Sequence, residues 1–457
     1  MEAEPTDLER ARRLLIEAKV VAERMSDAGP RHALVAKIAG AQAAAGDRQA
    51  ALATAAGIGN SGWKAVAEGL ADAGDVSAAL DAAGKIATHS TQERMLLGNG
   101  GRDDALREIA RRSARRGDFK GAVRAMDKIV HPMFLAGALA DLGEAQARAG
   151  DTAAARRSFQ VAALAAERSR LTVLGALARI TAYEEIGKAQ GRLGDRAAAI
   201  AAFDAALTAV PSLPKDNGRD NLLAAHASAR AEAGDCDGAR RALKAMGNPG
   251  QARRAEVTVV RCLTEAGLND RASETAAGIF EDQTRADGFA AMGAVYARHG
   301  DAARAAAAFE RAVEAAEKRP RNDGSGPFSF RDEALMGVVL AQALAGDRDG
   351  ALRTADRMVL RNAATADYVN DAIYGRLATA RAQAGDSEAA LASVAQIRGF
   401  PPPPEMWRAL GVTEGRRGNV DAVLPRGPAE RDEERRAEFL MGLAEGLMAR
   451  AGGARQP

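Results

Sequence analysis

A glycine, usually followed by aspartate, recurs along this chain at intervals close to 33 residues. The spacings between successive glycines are 28, 43, 33, 44, 40, 33, 33, 46, 39 and 33. A period in this range is typical of arrays of helix pairs, in which extra residues lie in loops or lengthened helices. The glycines are Gly46, Gly74, Gly117, Gly150, Gly194, Gly234, Gly267, Gly300, Gly346, Gly385 and Gly418.

Alanine stands five residues after every one of these glycines except the last, where the residue is Val423. A position that is always small indicates close approach of two helix backbones, since a larger side chain would overpack by roughly 1 to 3 kcal/mol. The glycine can adopt the left-handed conformation that ends a first helix. The aspartate can then cap a second helix by accepting a backbone N–H.

Large apolar residues recur eleven and eight residues before the glycine, on one face of the first helix. The polar exceptions are Glu256 at the first of these positions and His226 at the second. This stripe predicts the buried side of each first helix.

These positions resemble the tetratricopeptide repeat. A small residue follows the first large one by four in several repeats, as at Gly143, Gly187, Gly293 and Gly411. Three repeats also carry the phenylalanine and alanine of the family's second helix, Phe159 with Ala162, Phe203 with Ala206 and Phe309 with Ala312. The resemblance spans residues 31 to 452 and implies an all-α solenoid, a right-handed superhelix of about eleven repeats. Repeats without the phenylalanine are expected to have shorter second helices.

The ends of a solenoid need covering. The expected organisation is therefore a capping helix in residues 1–30, the array in 31–430, and a capping helix with a tail in 431–457. The proline run in "GFPPPPEMW" should fit within an ordinary turn and begin the next helix. Residues 318–330 form the longest irregular piece, interpreted either as a disordered insertion or as a binding loop containing Phe328 and Phe330.

Composition argues against several classes of protein. The 63 basic and 61 acidic residues nearly cancel, so no large field attracts the whole chain to nucleic acid or a membrane. No run of 18 apolar residues and no basic-then-apolar leader occurs. We expect no membrane insertion and a cytoplasmic protein, or a periplasmic one if a signal peptide was removed.

Sequence motifs for chemistry are weak. "GIGNSG" at residues 57–62 follows an alanine-rich helix and not a strand, so it predicts a turn between repeats and no dinucleotide site. His226 is interpreted as a packed histidine. Cys236 and Cys262 should lie at similar height on antiparallel helices, where two reduced thiols are favoured over a disulfide. No catalytic, cofactor-binding or metal-binding residue is expected.

The resemblance further implies that first helices line a groove that holds peptides, with groove-facing positions 13, 10, 6 and 2 residues before each glycine. One interpretation of the arginines at these positions is a solvated helix face. The other is a site for an acidic peptide, with guanidinium groups paired to carboxylates. The candidate contacts are Arg107, Arg111 and Arg115 on one helix, then Lys188 and Arg192 beside Glu184, then Arg254, Arg261 and Arg298.

The function expected from these features is a non-enzymatic scaffold that binds a protein or peptide partner, with acidic residues favoured by the arginines. A regulatory subunit or an enzyme built on a helical array is the first alternative, and an RNA-binding repeat protein is the second. A nucleic-acid partner is not expected, because the basic excess is small. The sequence leaves the oligomeric state open.

Overall fold

The computed structural model describes residues 5–87, 100–168, 175–213, 216–248, 250, 252–319, 329–358 and 363–453. Within these ranges the chain forms twenty-four α-helices, two short 3-10 turns and no strand, and it is an all-α solenoid of helix pairs. The helices that begin repeats are α2 (Ala28–Ala44), α4 (Asn60–Asp72), α6 (Gly100–Arg115), α8 (Pro132–Arg148), α10 (Gly175–Arg192), α12 (Asn217–Glu232), α14 (Arg253–Glu265), α16 (Asp282–Arg298), α18 (Phe330–Leu344), α20 (Ala363–Gln383) and α22 (Pro404–Arg417).

Each first helix is followed by a second helix, and one further helix lies near each end of the chain. The second helices are α3 (Arg48–Ile58), α5 (Val76–Gly84), α7 (Phe119–Met126), α9 (Thr152–Arg168), α11 (Arg196–Leu207), α13 (Cys236–Lys244), α15 (Asn269–Ala277), α17 (Ala302–Glu317), α19 (Arg348–Ala355), α21 (Ser387–Val394) and α23 (Val420–Val423). The end helices are α1 (Asp7–Glu23) and α24 (Glu433–Gly453).

The chain divides into two compact units. Unit 1 comprises Met1–Ala178, Ala378–Ala392 and Pro402–Pro457, and unit 2 comprises Arg179–Leu377 and Ser393–Pro401. Unit 1 therefore contains both α1 and α24. The boundaries expected from the sequence, 1–30, 31–430 and 431–457, follow a different criterion and stay a prediction.

The predicted turn chemistry is confirmed. All eleven repeat glycines have positive φ, between 73° and 87°. Asp118 is representative of the following aspartates, because its carboxylate accepts the backbone N–H of Gly121 at 2.8 Å. The alanine five residues after each glycine is buried throughout, from Ala51 to Ala390. Gly59, in the sequence that matches a dinucleotide motif, also has positive φ and separates α3 from α4, so the interpretation as a turn is confirmed.

Second-helix length follows the presence of phenylalanine, as predicted. Helices α9, α11 and α17, which contain Phe159, Phe203 and Phe309, have 17, 12 and 16 residues, whereas α7 and α13 have only 8 and 9. In these longer repeats the phenylalanine ring packs against the small residue of the first helix. A Cβ added to Gly187 would lie only 2.7 Å from Cε1 of Phe203, so this position has no room for a side chain.

Some short repeats use an aspartate of the first helix that the sequence interpretation did not identify. Asp103, Asp220 and Asp371 each stand fourteen residues before the repeat glycine. The Asp220 carboxylate accepts the backbone N–H groups of Gly247 at 3.0 Å and Asn248 at 2.7 Å, in the turn that leaves the same repeat. This contact satisfies amides that a longer second helix would otherwise bond.

The two end helices do not cover separate ends. Helix α24 lies along α22, and α1 packs against α24, so that each covers the other. The described residues contain no helix that is both long enough and apolar enough to span a membrane.

The cysteine interpretation is wrong. Cys236, the first residue of α13, forms a disulfide with Cys262 of α14, and their Cα atoms are 5.7 Å apart. The predicted placement of the two residues at similar height is confirmed, but the favoured reduced state is not found. The disulfide joins the second helix of one repeat to the first helix of the next.

Candidate protein-binding surface

Three of the depressions in the described part of the chain lie between neighbouring first helices. The residues of these depressions recur nine, six, five and two positions before the repeat glycine, whereas the sequence predicted thirteen, ten, six and two. The outer two predicted positions line only the third of these depressions, through Ala33 and Ala36 of α2 and Arg408 of α22. The part of these first helices that lines the depressions therefore lies nearer the carboxyl end of the helix than the sequence predicted.

The first depression, of about 270 Å³, lies between α6 and α8 in unit 1. Arg111 and Arg115 of α6 and Arg148 of α8 stand around it, and its apolar wall comes from Ala114, Phe119, Ala145 and Ala149. Its acidic residues are Asp141 and Glu144. Two of the three arginines predicted on α6 thus line one concavity.

The arginines of α6 differ in their contacts. Arg111 donates from Nε to both carboxylate oxygens of Glu108, at 3.0 and 3.1 Å. Arg107 lies 3.4 Å from Asp141 Oδ2 and does not line the depression. Arg115 is exposed and forms no hydrogen bond or ion pair with any residue that the structure describes. Arg115 is therefore the cation of this helix available to a partner.

Arg148 is the arginine of this depression that the sequence interpretation missed. It lies 2.6 Å from Glu144, four residues earlier on α8, and its side chain is 57% exposed. It occupies the same repeat position as Arg115, two residues before the glycine. That shared position was the signal that could have identified it.

The Arg111–Glu108 contact shifts both groups toward their charged forms. The hydrogen bonds that Arg111 donates to the Glu108 carboxylate raise the pKa of Arg111. Burial acts to raise the pKa of Glu108, but the hydrogen bond from Arg111 and the neighbouring arginines lower it overall. Glu68 of α4 has the opposite balance, because burial raises its pKa and attraction to Arg112 does not fully offset this effect.

The second depression, of about 410 Å³, lies in unit 2 among α12, α14 and α16. It contains two predicted residues, Arg261 and Arg298. Arg298 pairs with Glu265 at 2.9 Å, whereas Arg261 is exposed and has no ion-pair partner among the described residues. Cys262 of the disulfide also lines it.

The other predicted residues lie elsewhere. Lys188 pairs with Glu185 at 3.1 Å, and neither Arg192 nor Arg254 lines the second depression. Glu184, predicted to face the groove, is instead buried, and its Oε1 lies 2.9 Å from Nδ1 of His226. The interpretation of His226 as a packed histidine is confirmed.

The third depression, of about 480 Å³, lies in unit 1 and brings together residues from near both ends of the chain. Its floor is formed by small residues of α2 and α4, including Gly40, Ala44 and Ala65. Around the rim, Arg112 pairs with Glu68 at 2.7 Å, and Arg408 pairs with Glu445 of α24. Every charged residue named here already has an oppositely charged partner within the chain.

These arrangements suit recognition of charged side chains. Guanidinium groups beside small apolar surfaces bind carboxylates well, because their N–H groups match the two carboxylate oxygens. No cluster of His, Cys, Asp and Glu side chains suited to a metal ion occurs in the described ranges. The segment 318–330, interpreted from the sequence as a disordered insertion or a binding loop, lies largely outside the described residues. Residues 320–328, including Phe328, are not described, and Phe330 is the first residue of α18.

Comparison with known proteins gives only weak structural likenesses. No protein-family model matches the chain, and no curated protein matches it. Similar solved structures include Ton1535 from Thermococcus onnurineus NA1, at 14% identity over 74% of this chain and 99% of that chain, with a TM-score of 0.30. A circular tandem repeat protein with novel repeat topology and enhanced subunit contact surfaces has 13% identity over 97% and 98%, with a TM-score of 0.25.

A third similar structure is Naa15/Naa10 bound to HypK-THB, at 14% identity over 98% of this chain and 80% of that chain, with a TM-score of 0.18. Likenesses of this size assign no function to the chain.

Proposed function

We propose that this chain is a non-enzymatic scaffold of the tetratricopeptide-repeat type that binds a protein or peptide partner on its first-helix face. The depression between α6 and α8 is the proposed contact, and an acidic side chain of the partner is the proposed ligand of Arg115. The observation that carries the proposal is the exposed Arg115 guanidinium beside the half-exposed Arg148 and an apolar wall.

Charge balance around the depression supports an acidic partner. Arg107 with Asp141, Arg111 with Glu108, and Arg148 with Glu144 account for the charges of six residues. Arg115 then remains as one positive charge. A partner carboxylate placed between Arg115 and Arg148 would neutralise this charge, and an apolar neighbour could contact Phe119 and Ala145.

The ion pairs formed by the acidic residues of this depression support a binding role over a catalytic one. Asp141 lies beside Arg107 and Glu144 lies beside Arg148, so both carboxylates are already paired with guanidinium groups. The proposal therefore assigns these side chains to positioning the arginines.

The test is affinity purification of the full chain from its native cells, followed by mass spectrometry. Arg115→Glu combined with Arg148→Glu should remove partners that the unchanged chain retains, since two attractive charges become repulsive. Arg124→Glu provides the matched control, because Arg124 is also exposed but lies on the second helix α7.

Retention of the same partners by the double variant and the control would exclude this depression as the contact. Equal circular dichroism spectra for the three proteins would show that lost binding does not come from unfolding.

A further inference from the structure

The end helices carry the two halves of a repeat pattern. In α24, Leu440, Leu443 and Ala444 reproduce the spacing of large, large and small residues found at Trp407, Leu410 and Gly411 in the first helix α22. In α1, Ala11, Leu15 and Ala18 reproduce the spacing of Ala155, Phe159 and Ala162 in the second helix α9. All six end-helix residues are fully buried.

Helix α24 occupies the position of a first helix. It runs parallel to α22, and two glycines on each helix meet at the contact: a Cβ added to Gly411 would lie 2.5 Å from the backbone O of Phe439, and Gly446 contacts Val412 in the same way. Adjacent first helices α2 and α4 also meet through glycines, Gly40 and Gly69. Close backbone approach is thus common to both contacts.

Helix α1 occupies the position of the matching second helix. It runs antiparallel to α24, because Asp7 lies 3.4 Å from Arg450 while Glu17 lies 3.3 Å from Arg436. Its flanks contact the neighbouring repeats: Arg10 pairs with Asp421 of α23 at 2.6 Å, and Arg12 Nε donates to the backbone O of Ala45 at 2.9 Å.

We propose that α24 and α1 form one further repeat, divided between distant parts of the chain, and that this split repeat acts as a clasp. Its halves lie eleven repeats apart in sequence, so no Gly–Asp turn joins them and they can separate without disturbing another turn. When α24 is paired with α1, Glu445 and Met448 of α24 line the third depression together with Ala41 of α2. The clasp therefore completes that depression when closed.

Trp407 reports how α24 is seated against α22, a seating that the pairing of α24 with α1 is proposed to secure. Its buried ring packs edge-to-face on Phe439 of α24, with centroids 5.9 Å apart. In a Trp63→Phe background Trp407 is the sole tryptophan. Leu15→Glu, on the buried face of α1, should shift its emission to longer wavelength, whereas Ile16→Glu on the exposed face should not.

A thiol at Ala41 tests whether the clasp completes the depression. The native cysteines are joined to each other, so Ala41→Cys introduces one reactive thiol. Leu15→Glu should increase its rate of maleimide labelling at least tenfold relative to Ile16→Glu. Equal labelling rates would overturn the coupling between clasp and depression.

A circular permutant tests the split repeat without a destabilising substitution. Gly453 is joined to Asp7 through a Gly–Asp turn, and the chain is opened between Arg319 and Ser329. If α24 and α1 form a repeat, the permutant should fold and amide exchange in both helices should slow at least tenfold, because their pairing becomes local. The proposal would be overturned if amide exchange in α1 and α24 were faster in the permutant than in the unpermuted chain. It would also be overturned if Leu15→Glu kept native helicity and left the Trp407 emission unshifted.

Discussion

The carboxylate of Asp103 accepts the backbone N–H of His131 at 2.9 Å, across 28 residues of sequence. It also accepts the N–H of Val130 at 3.3 Å, so one buried side chain in α6 holds the turn before α8. Asp371 does the same in unit 2. These contacts fix the exit of a short repeat relative to its entry.

Asp103→Ala should lower the free energy of unfolding by about 1 to 3 kcal/mol, because the buried amide of His131 and the part-buried amide of Val130 lose their acceptor. Urea titration followed by circular dichroism measures the change. Asp81→Ala, an exposed position on α5, is the control and should change stability by no more than about 0.5 kcal/mol. Equal midpoints for the two variants would contradict a structural role for Asp103.

Asp371 should make stability depend on pH below neutrality. Burial acts to raise the pKa of Asp371, but N–H groups of Arg398, Phe400 and Gly399 donate to the carboxylate and lower it below its ordinary 3.8. The stabilisation is therefore complete above pH 3.8 and is lost as the pH falls through the lowered pKa.

Denaturant midpoints at pH 7, 4 and 2.5 test this dependence. Asp371→Asn should be less stable than the unchanged chain at pH 7 and should converge with it at the lowest pH. A constant difference between the two proteins at all three pH values would contradict it.

Two helical glycines should respond in opposite directions to alanine. Gly187→Ala should destabilise by roughly 1 to 3 kcal/mol, since the new methyl group would meet the Phe203 ring. Gly57→Ala in α3 has nothing within 4 Å of the new Cβ and should stabilise by up to about 1 kcal/mol. Thermal unfolding measures both changes, and a loss of similar size at Gly57 would contradict the packing explanation.

Arg230 is the fully buried centre of an ion network in unit 2. Its Nε donates to Asp235 at 2.6 Å and its Nη2 to Asp204 at 2.5 Å. Arg230→Ala should cost roughly 3 to 5 kcal/mol because it leaves Asp235 buried without its cation. Arg241→Ala, exposed on α13, should be nearly neutral in the same denaturation experiment.

The disulfide should contribute stability through the unfolded chain. Cys236 and Cys262 are 26 residues apart, for which the loop-entropy relation gives roughly 3 to 4 kcal/mol. Replacing both cysteines by alanine should lower the denaturant midpoint, and a thiol reductant should then have no additional effect. A midpoint unchanged by the replacement would show that the cross-link does not stabilise unit 2.

Local turn chemistry was predictable because it depends on residues adjacent in sequence. Gly117 and Asp118, for example, act together within one turn, and nine of the eleven repeats use the same pair; Leu268 and Asn419 replace the aspartate in the other two. The Asp103 contact was missed because its partners lie 27 and 28 residues away. The proposed split repeat was not predictable from the recurring Gly–Asp turn, because no such turn joins α24 to α1.

The candidate site was predictable only in outline. Spacing placed Arg111 and Arg115 on one face of α6, but it could not show that Asp141, from the next repeat, lies beside Arg107. The Glu108–Arg111 pair was visible in the sequence, since residues three apart on a helix are neighbours. Which arginine remains accessible depends on the register between adjacent helices, and no single repeat contains that information.

The contact between Asp7 and Arg450 has a practical consequence for spectroscopy. Fluorophores attached beside these two residues would report on each other by energy transfer, although almost the whole polypeptide separates them. A donor and an acceptor placed there would follow dissociation of the N-terminal helix in real time, in a single labelled molecule and without knowledge of any binding partner.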